Sequence, residues 1–181
     1  MQWRELSPRL PVQDQTGLIA RHPDLQGLPS GSGTTIVLRS SLRQRVLAQL
    51  AASDVEQGGL LIGEVFEAVQ DAAGPPTFTV LLKRCIPATH YAASAVSLQM
   101  GTEVWSRARE ALETEEMIAG WYHSHPGLGA FFSRRDRQTQ RDFFSHAWSV
   151  GWVVDPSDAS EAWFVGAEAS APGRSITVPD C

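Results

Sequence analysis

The sequence predicts an α/β fold in which a mixed β-sheet is flanked by a few helices. Segments rich in β-branched and apolar residues alternate with segments of helical periodicity between residues 34 and 166. The chain has 181 residues, of which 43% are hydrophobic, so its length and composition suit one domain with one main core.

The predicted elements follow one another along this central region. Thr34–Arg39 is rich in β-branched residues and predicts a strand. Leu42, Val46 and Leu50 recur at helical spacing and predict a helix over residues 42–52. Further strands are predicted at 58–66, 77–86, 96–100, 117–123, 149–154 and 161–165, with further helices at 104–112 and 133–144, and the strands at 58–66 and 77–86 are expected to pair antiparallel.

The two ends of the chain differ in composition from this region. Residues 1–33 contain several prolines and glycines with little periodicity, so we expect an extended N-terminal arm. Residues 34–166 form the predicted folded domain. Residues 167–181 are rich in glycine, proline and serine and predict a flexible C-terminal tail.

Charge and cysteine content argue against several functional classes. Fifteen Lys and Arg against twenty Asp and Glu give a net charge of -5, which provides no overall attraction to nucleic acid or to an anionic membrane. Two cysteines are too few for the disulfide framework of a small secreted domain. No stretch approaches the roughly eighteen apolar residues of a membrane helix. We therefore expect a cytoplasmic protein without nucleic-acid or membrane partners.

Two of the five histidines, His123 and His125, stand two residues apart at the end of a predicted strand. Side chains at positions i and i+2 of a strand project from the same face, so the two imidazoles lie together. Ser133 is suited to cap the next helix and Asp136 falls in its first turn, which gives the pattern His-x-His-x7-Ser-x2-Asp. Two histidines and one aspartate, with a fourth position left for water, are typical of a catalytic zinc site.

Alternative interpretations of the histidine pair fit less well. Alone, a His-x-His pair at a strand end more often makes surface hydrogen bonds, and it is the rest of the pattern that favours a metal. Gly127 and Leu128 stand where a metallo-β-lactamase pattern requires Asp and His. His125 stands where a nucleobase deaminase requires glutamate, and the sequence has no His-Glu-x-x-His helix.

This pattern, together with a glutamate upstream of it, resembles the JAMM (MPN-plus, or JAB) zinc metalloprotease family. The resemblance covers roughly residues 34 to 166, and residues 120–127 are similar to members that cleave ubiquitin isopeptide bonds. It implies a cytidine-deaminase-like α/β sandwich around a mixed sheet. It also implies one zinc ion held by His123, His125 and Asp136.

The resemblance implies two further site residues. Residues 56–63 fit the family pattern Glu-x-x-Gly-x-Leu-x-Gly, which makes Glu56 the general base and acid. Glu64 in the same strand is the alternative, but Gly59 and Gly63 fall where the family glycines fall when Glu56 is chosen. The hydroxyl of Ser133 would stabilise the oxyanion. The implied mechanism requires no covalent intermediate, so neither cysteine needs to be catalytic.

The resemblance is strongest to compact prokaryotic members that process ubiquitin-like or sulfur-carrier proteins at a C-terminal glycine. Residues 87–95 correspond to one ubiquitin-gripping insertion, which would pair with a substrate tail or serve as a plain loop, and the second insertion is reduced to a short turn after Asp155. The implied function is a zinc-dependent isopeptidase or peptidase that releases ubiquitin-like proteins from conjugates or precursors. Activating and conjugating enzymes of the same pathway are further expected partners. A peptidase that trims a sulfur-carrier protein and a non-catalytic scaffold subunit remain as alternatives.

Overall fold

A single mixed sheet forms the centre of the structure, a computed structural model that describes residues 10–28, 33–68, 75–89 and 101–180. In these ranges the elements are β1 (Gln13–Asp14), α1 (Thr16–Arg21), a 3-10 turn (Pro23–Leu25), β2 (Thr34–Arg39), α2 (Ser40–Leu50), β3 (Gly58–Ala68), β4 (Thr77–Pro87), α3 (Thr102–Glu110), β5 (Met117–Ser124), α4 (Arg134–Phe143), β6 (Val150–Asp155), β7 (Ser160–Val165) and β8 (Arg174–Val178). The predicted α/β class, with helices flanking a mixed sheet, is confirmed.

The order of strands across the sheet is β7-β6-β5-β3-β4-β2-β8, and β1 pairs with β3 outside this path. β3 runs antiparallel to both β4 and β5, as expected for the first of these pairs. β5 and β6 are parallel, with α4 as the connection between them. The carboxyl ends of β5 and β6 therefore lie side by side at one edge of the sheet, next to the start of β3.

Each face of the sheet is covered by helices. On one face α2 packs Leu42, Val46 and Leu50 against apolar side chains of β2, β3, β4, β5 and β6. On the other face α3 places Val104 and Ala108 in a second cluster with side chains of β3, β5 and β6. Successive side chains of a strand point to opposite faces of the sheet. Because helices cover both faces, most side chains of β3 and β5 are buried, as is usual for the central strands of a sandwich.

The expectation of an extended N-terminal arm is wrong for residues 10–28. This segment pairs β1 with β3 and then turns through α1 and the 3-10 turn. Leu18 and Leu25 are buried in a third cluster with Val37, Phe66 and Leu81. The prolines and glycines here separate short elements instead of keeping the chain extended.

The expectation of a flexible tail is wrong for β8, which pairs in parallel with β2 along its whole length. The segment contains Ile176 and Val178 at strand spacing, a pattern that the surrounding glycine and proline residues obscured. Beyond it, the Asp180 carboxylate accepts hydrogen bonds from the backbone N–H of Ser41 at 3.0 Å and from the Ser40 hydroxyl at 2.9 Å. The tail therefore supplies the carboxylate that caps α2.

Some expectations concern residues outside the described ranges. These are the predicted strand at 96–100, most of the segment 87–95, and residues 1–9 and 29–32 of the expected arm. Among the helices that the structure does describe, none combines the length and apolarity required to cross a membrane.

Candidate metal centre

The two histidines of the sequence motif lie at the carboxyl end of β5. His123 is fully buried and His125 nearly so. β5 lies between β3 and β6, so its backbone is paired on both sides, and the backbone N–H of His125 donates to Val154 O at 2.9 Å. The sheet therefore fixes the positions from which both imidazoles project.

Ser133 and Asp136 begin α4 with reciprocal hydrogen bonds. The Ser133 hydroxyl oxygen accepts the Asp136 N–H at 3.2 Å, and Asp136 Oδ2 accepts the Ser133 N–H at 2.7 Å. This capping box satisfies two backbone donors of the helix start and fixes the Asp136 side chain. Gly127 and Gly129, both with positive φ, let the preceding loop turn the helix start back toward β5.

The three side chains converge on one point. His123 Nε2 and His125 Nε2 lie 3.1 Å apart, and they lie 3.3 and 3.4 Å from Asp136 Oδ1 and Oδ2. Among the described residues this is the group of His, Cys, Asp and Glu close enough to share a cation, with its ligand atoms all within 4.8 Å of one another. A zinc ion accepts lone pairs from two imidazole nitrogens and a carboxylate together, so this donor set fits zinc.

The electrostatics of the cluster keep His123 and Asp136 in the forms that a metal requires, whereas the neighbouring carboxylates favour the protonated form of His125. Burial lowers the pKa of His123 and favours the neutral imidazole. Burial also opposes ionisation of Asp136, but hydrogen bonds from His123 and His125 outweigh it and hold the pKa of Asp136 far below its usual value. For His125, the Asp136 and Glu56 carboxylates outweigh burial and raise the pKa.

Glu56 lies beside this cluster, two residues before β3 begins. Its Oε1 atom is 3.7 Å from His125 Nε2, and its side chain is buried. The neighbouring Gln57 fixes its position, because Gln57 N–H donates to Ser124 Oγ at 3.0 Å and Gln57 O accepts the Ser124 N–H at 2.8 Å. Burial raises the pKa of Glu56, although the His125 charge opposes this.

Glu64, the alternative glutamate, lies in a different environment. It is also buried, but its carboxylate contacts Lys83 at 2.9 Å, Arg21 at 2.8 Å and His22 at 3.2 Å. The structure therefore places Glu56, and not Glu64, beside the converging histidines.

Three side chains that shape the centre were not among the residues predicted from the sequence. Asp155, at the end of β6, accepts backbone N–H groups from the loop after His125. The Trp121 ring stacks on His123, and Gln140 of α4 hydrogen-bonds to Trp121. The polar sequence of α4 contains no signal that would have identified Gln140 as buried.

A sequence profile described as prokaryotic homologs of the JAB domain matches residues 39–165, well over half of the chain. The NAD(+) hydrolase TcpA of the Theionarchaea archaeon strain DG-70-1 is 34% identical over 113 residues, which are 61% of this chain and 30% of that protein. The 26S proteasome non-ATPase regulatory subunit 14 of Dictyostelium discoideum is 27% identical over 143 residues, 77% of this chain and 44% of that subunit.

A shorter match covers the ubiquitin carboxyl-terminal hydrolase RPN11 of Saccharomyces cerevisiae, which is 46% identical over 43 residues, 23% of this chain and 14% of that enzyme. The chain thus spans less than half the length of these curated relatives. Among solved structures, protein DSY2949 from Desulfitobacterium hafniense has the same fold, with a TM-score of 0.61 at 18% identity over 80% of this chain and 94% of that one. The resemblance inferred from the motif is confirmed: this chain belongs to the family of prokaryotic homologs of the JAB domain.

Proposed function

We propose that this chain is a zinc-dependent isopeptidase or peptidase that cleaves ubiquitin-like proteins from conjugates or precursors after a C-terminal glycine. The observation that carries the proposal is the convergence of His123, His125 and Asp136 beside the buried carboxylate of Glu56. Relatives named as a proteasome regulatory subunit and a ubiquitin carboxyl-terminal hydrolase support this substrate class.

His123, His125 and Asp136 would hold the zinc ion, which when bound activates water and polarises the scissile carbonyl. Glu56, within reach of the same centre, accepts the proton of the attacking water and delivers it to the leaving nitrogen. The Ser133 hydroxyl oxygen accepts the Asp136 N–H, so the hydroxyl proton of Ser133 stays available. This hydroxyl donates a hydrogen bond to the oxygen of the scissile carbonyl as negative charge develops there. No covalent intermediate with the protein is needed.

Apolar side chains near the centre suit a peptide substrate. Leu128 and Phe131, in the loop after His125, are each about half exposed, and Phe131 meets the His125 ring edge to face at 5.0 Å. Val55, directly before Glu56, is also exposed. These side chains give an extended apolar tail of the substrate a surface to contact next to the metal centre.

On this proposal the protein acts in the cytoplasm, in a pathway with activating and conjugating enzymes.

The test compares two buried glutamates of the same region. Purified wild-type protein, Glu56→Gln and Glu64→Gln are loaded with zinc and incubated with linear and isopeptide-linked fusions of several ubiquitin-like proteins. We expect zinc-dependent cleavage by the wild type and by E64Q. Removal of the general base in E56Q should lower kcat at least about 100-fold while zinc affinity is retained.

Three results would overturn the proposal. These are no zinc-dependent cleavage of any fusion by the wild type, full activity of E56Q, or consumption of NAD(+) in place of peptide cleavage. Mass spectrometry of the products separates deconjugation from the alternative in which a few residues are trimmed from a sulfur-carrier protein. A wild-type protein that binds no zinc would instead favour the scaffold alternative.

A further inference from the structure

Helix α4 carries Asp136 but has no apolar stripe with which to pack on the sheet. Its sequence, RRDRQTQRDF, is polar or charged at nine of ten positions, and its buried residue is Gln140, which is fully inaccessible. A helix of this kind is normally held to a domain by apolar side chains on one face. The contacts of Gln140 therefore bear directly on where α4, and with it Asp136, is placed.

Four polar groups lie within hydrogen-bond distance of the Gln140 side-chain amide. Its Oε1 accepts the indole N–H of Trp121 at 2.7 Å. Its Nε2 lies within donating distance of Phe144 O, Ser149 O and Gly166 O, at 3.2 to 3.3 Å. Because these groups belong to β5, to the end of α4 and to segments next to β6 and β7, one buried amide links α4 to three strands of the sheet.

Trp121 connects Gln140 to His123, a candidate metal ligand. Its indole stacks on the His123 imidazole with ring centroids 4.4 Å apart and planes 7° from parallel. A metal-binding histidine usually has its ring fixed by a hydrogen bond from the second nitrogen to a carboxylate or carbonyl. His123 Nδ1 is buried and has no hydrogen-bond partner among the described residues. The Trp121 stack therefore takes the place of that hydrogen bond.

Gly151 of β6 leaves space for the Gln140 amide because it has no side chain. A Cβ atom added to Gly151 would lie 3.0 Å from Gln140 Oε1 and would overlap the ring of Phe132. Gln140 and Asp136 are four residues apart and so lie on the same face of α4, one turn from each other. One helix face thus carries both a direct donor and the group that orients a second donor through Trp121.

We propose that Gln140 is a positioning residue for the metal centre: it holds the Trp121 indole, which fixes the ring plane of His123, and it sets α4 so that Asp136 reaches the same point. The inference rests on the proposed zinc site, but it does not depend on the identity of the substrate.

The experiment measures Zn²⁺ affinity by chelator competition and records the Co²⁺ absorption spectrum, so that no substrate is required. Gln140→Met removes the amide while keeping side-chain length and helix propensity. Gln138→Met makes the same change on the exposed face of α4, where Gln138 Nε2 donates to Asp142, and serves as the matched control. We expect Q140M to bind Zn²⁺ about 10- to 100-fold more weakly with an altered Co²⁺ spectrum, and Q138M to match the wild type.

A double-mutant cycle with Trp121→Phe distinguishes positioning from general loss of stability. W121F keeps an aromatic ring against His123 but removes the indole donor. If Gln140 acts through Trp121, Q140M should weaken Zn²⁺ binding much less in the W121F background than in the wild type. Additive losses would refute the link from Gln140 to His123 through Trp121, and a Q140M affinity within twofold of wild type would overturn the whole inference.

Three further outcomes are decisive. If Q140M does not fold, the Zn²⁺ affinity of W121F alone tests the link through the indole. Wild-type Zn²⁺ affinity in W121F would refute this link, and a loss of about tenfold would support it. If the wild type binds neither Zn²⁺ nor Co²⁺, the zinc proposal and this inference both fail. By contrast, a tight wild-type site that is unaffected by Q140M refutes the inference alone.

Discussion

The carboxylate of Asp155 accepts the backbone N–H of Gly129 at 2.7 Å and thereby ties the end of β6 to the loop that follows His125. The same carboxylate accepts the N–H groups of Gly127 at 2.9 Å and Ser157 at 2.8 Å. Burial opposes ionisation of Asp155, but these hydrogen bonds outweigh it and lower its pKa to about 2. The loop between His125 and α4 is therefore held by one ionised side chain.

We predict that Asp155→Asn destabilises the protein by about 1–3 kcal/mol, because the NH2 group of the new amide would face at least one backbone N–H and cannot accept a hydrogen bond from it. Urea unfolding at neutral pH measures the change. Asp158→Asn is the matched control, because Asp158 is an exposed carboxylate that accepts the Ser160 N–H at 2.8 Å. Equal losses in the two variants would show that the loop does not depend on Asp155.

Lys83 joins two buried glutamates on the side of the sheet covered by α1. Its Nζ lies 2.9 Å from Glu64 Oε1 and 3.0 Å from Glu116 Oε1. Burial opposes ionisation of both carboxyls. Hydrogen bonds from Lys83 and His22 to Glu64, and from the Glu113 N–H and Lys83 to Glu116, outweigh burial and lower the pKa of each glutamate below its usual value.

These lowered pKa values predict a loss of stability in acid. The unfolded chain binds protons at these glutamates near pH 4.3, above the native pKa, so their stabilisation is complete above that pH and is lost as the pH falls toward the native values. We expect Glu64→Gln to flatten the curve of unfolding free energy against pH between about pH 5 and 3. Glu67→Gln, at an exposed position of β3, should leave the slope unchanged. Identical slopes for E64Q and the wild type would contradict this prediction.

The N-terminal segment should contribute directly to global stability. Leu18 is buried against Phe66 and Leu81, whereas its neighbour Ile19 is exposed. We expect Leu18→Ala to lower the free energy of unfolding by about 2–5 kcal/mol and Ile19→Ala to change it by less than about 0.5 kcal/mol. Chemical denaturation measures both. A small effect of L18A would mean that α1 contributes little to the folded state.

Gly151 should tolerate no side chain. In Gly151→Ala the new Cβ would overlap the Phe132 ring, which packs on Trp121 and His123, so we expect a loss of about 1–3 kcal/mol and a change in tryptophan fluorescence. Gly17→Ala is the control, because the nearest atoms to its added Cβ are 3.9 Å away. Wild-type stability in G151A would show that Phe132 moves without cost.

Local patterns explain why much of the fold could be predicted from the sequence. The spacing of His123 and His125 follows the two-residue period of a strand, and Ser133 and Asp136 carry a helix-start signal that the structure shows as a capping box. Both features depend on residues close together in the chain. They were enough to predict β5, α4 and the convergence of three side chains.

Features that depend on distant contacts could not be predicted in this way. Asp155 was expected only to start a turn, because its partners belong to a loop that precedes it by more than twenty residues. Gln140 stands in a polar helix that gives no sign of a buried face. The pairing of β8 with β2 joins segments from opposite ends of the chain, and neither segment specifies its partner.

The metal donors and the proton carrier of the candidate centre come from two separate parts of the chain, and this division bears on how such a protein changes in evolution. His123, His125 and Asp136 belong to a single strand–loop–helix unit, whereas Glu56 reaches them only because β3 pairs with β5. Under the proposed function, substitution of this one glutamate would leave cation binding in place and remove the proton carrier. An ancestor of this kind could therefore give rise to a metal-binding structural protein in a single mutational step, with no change to the unit that holds the ion.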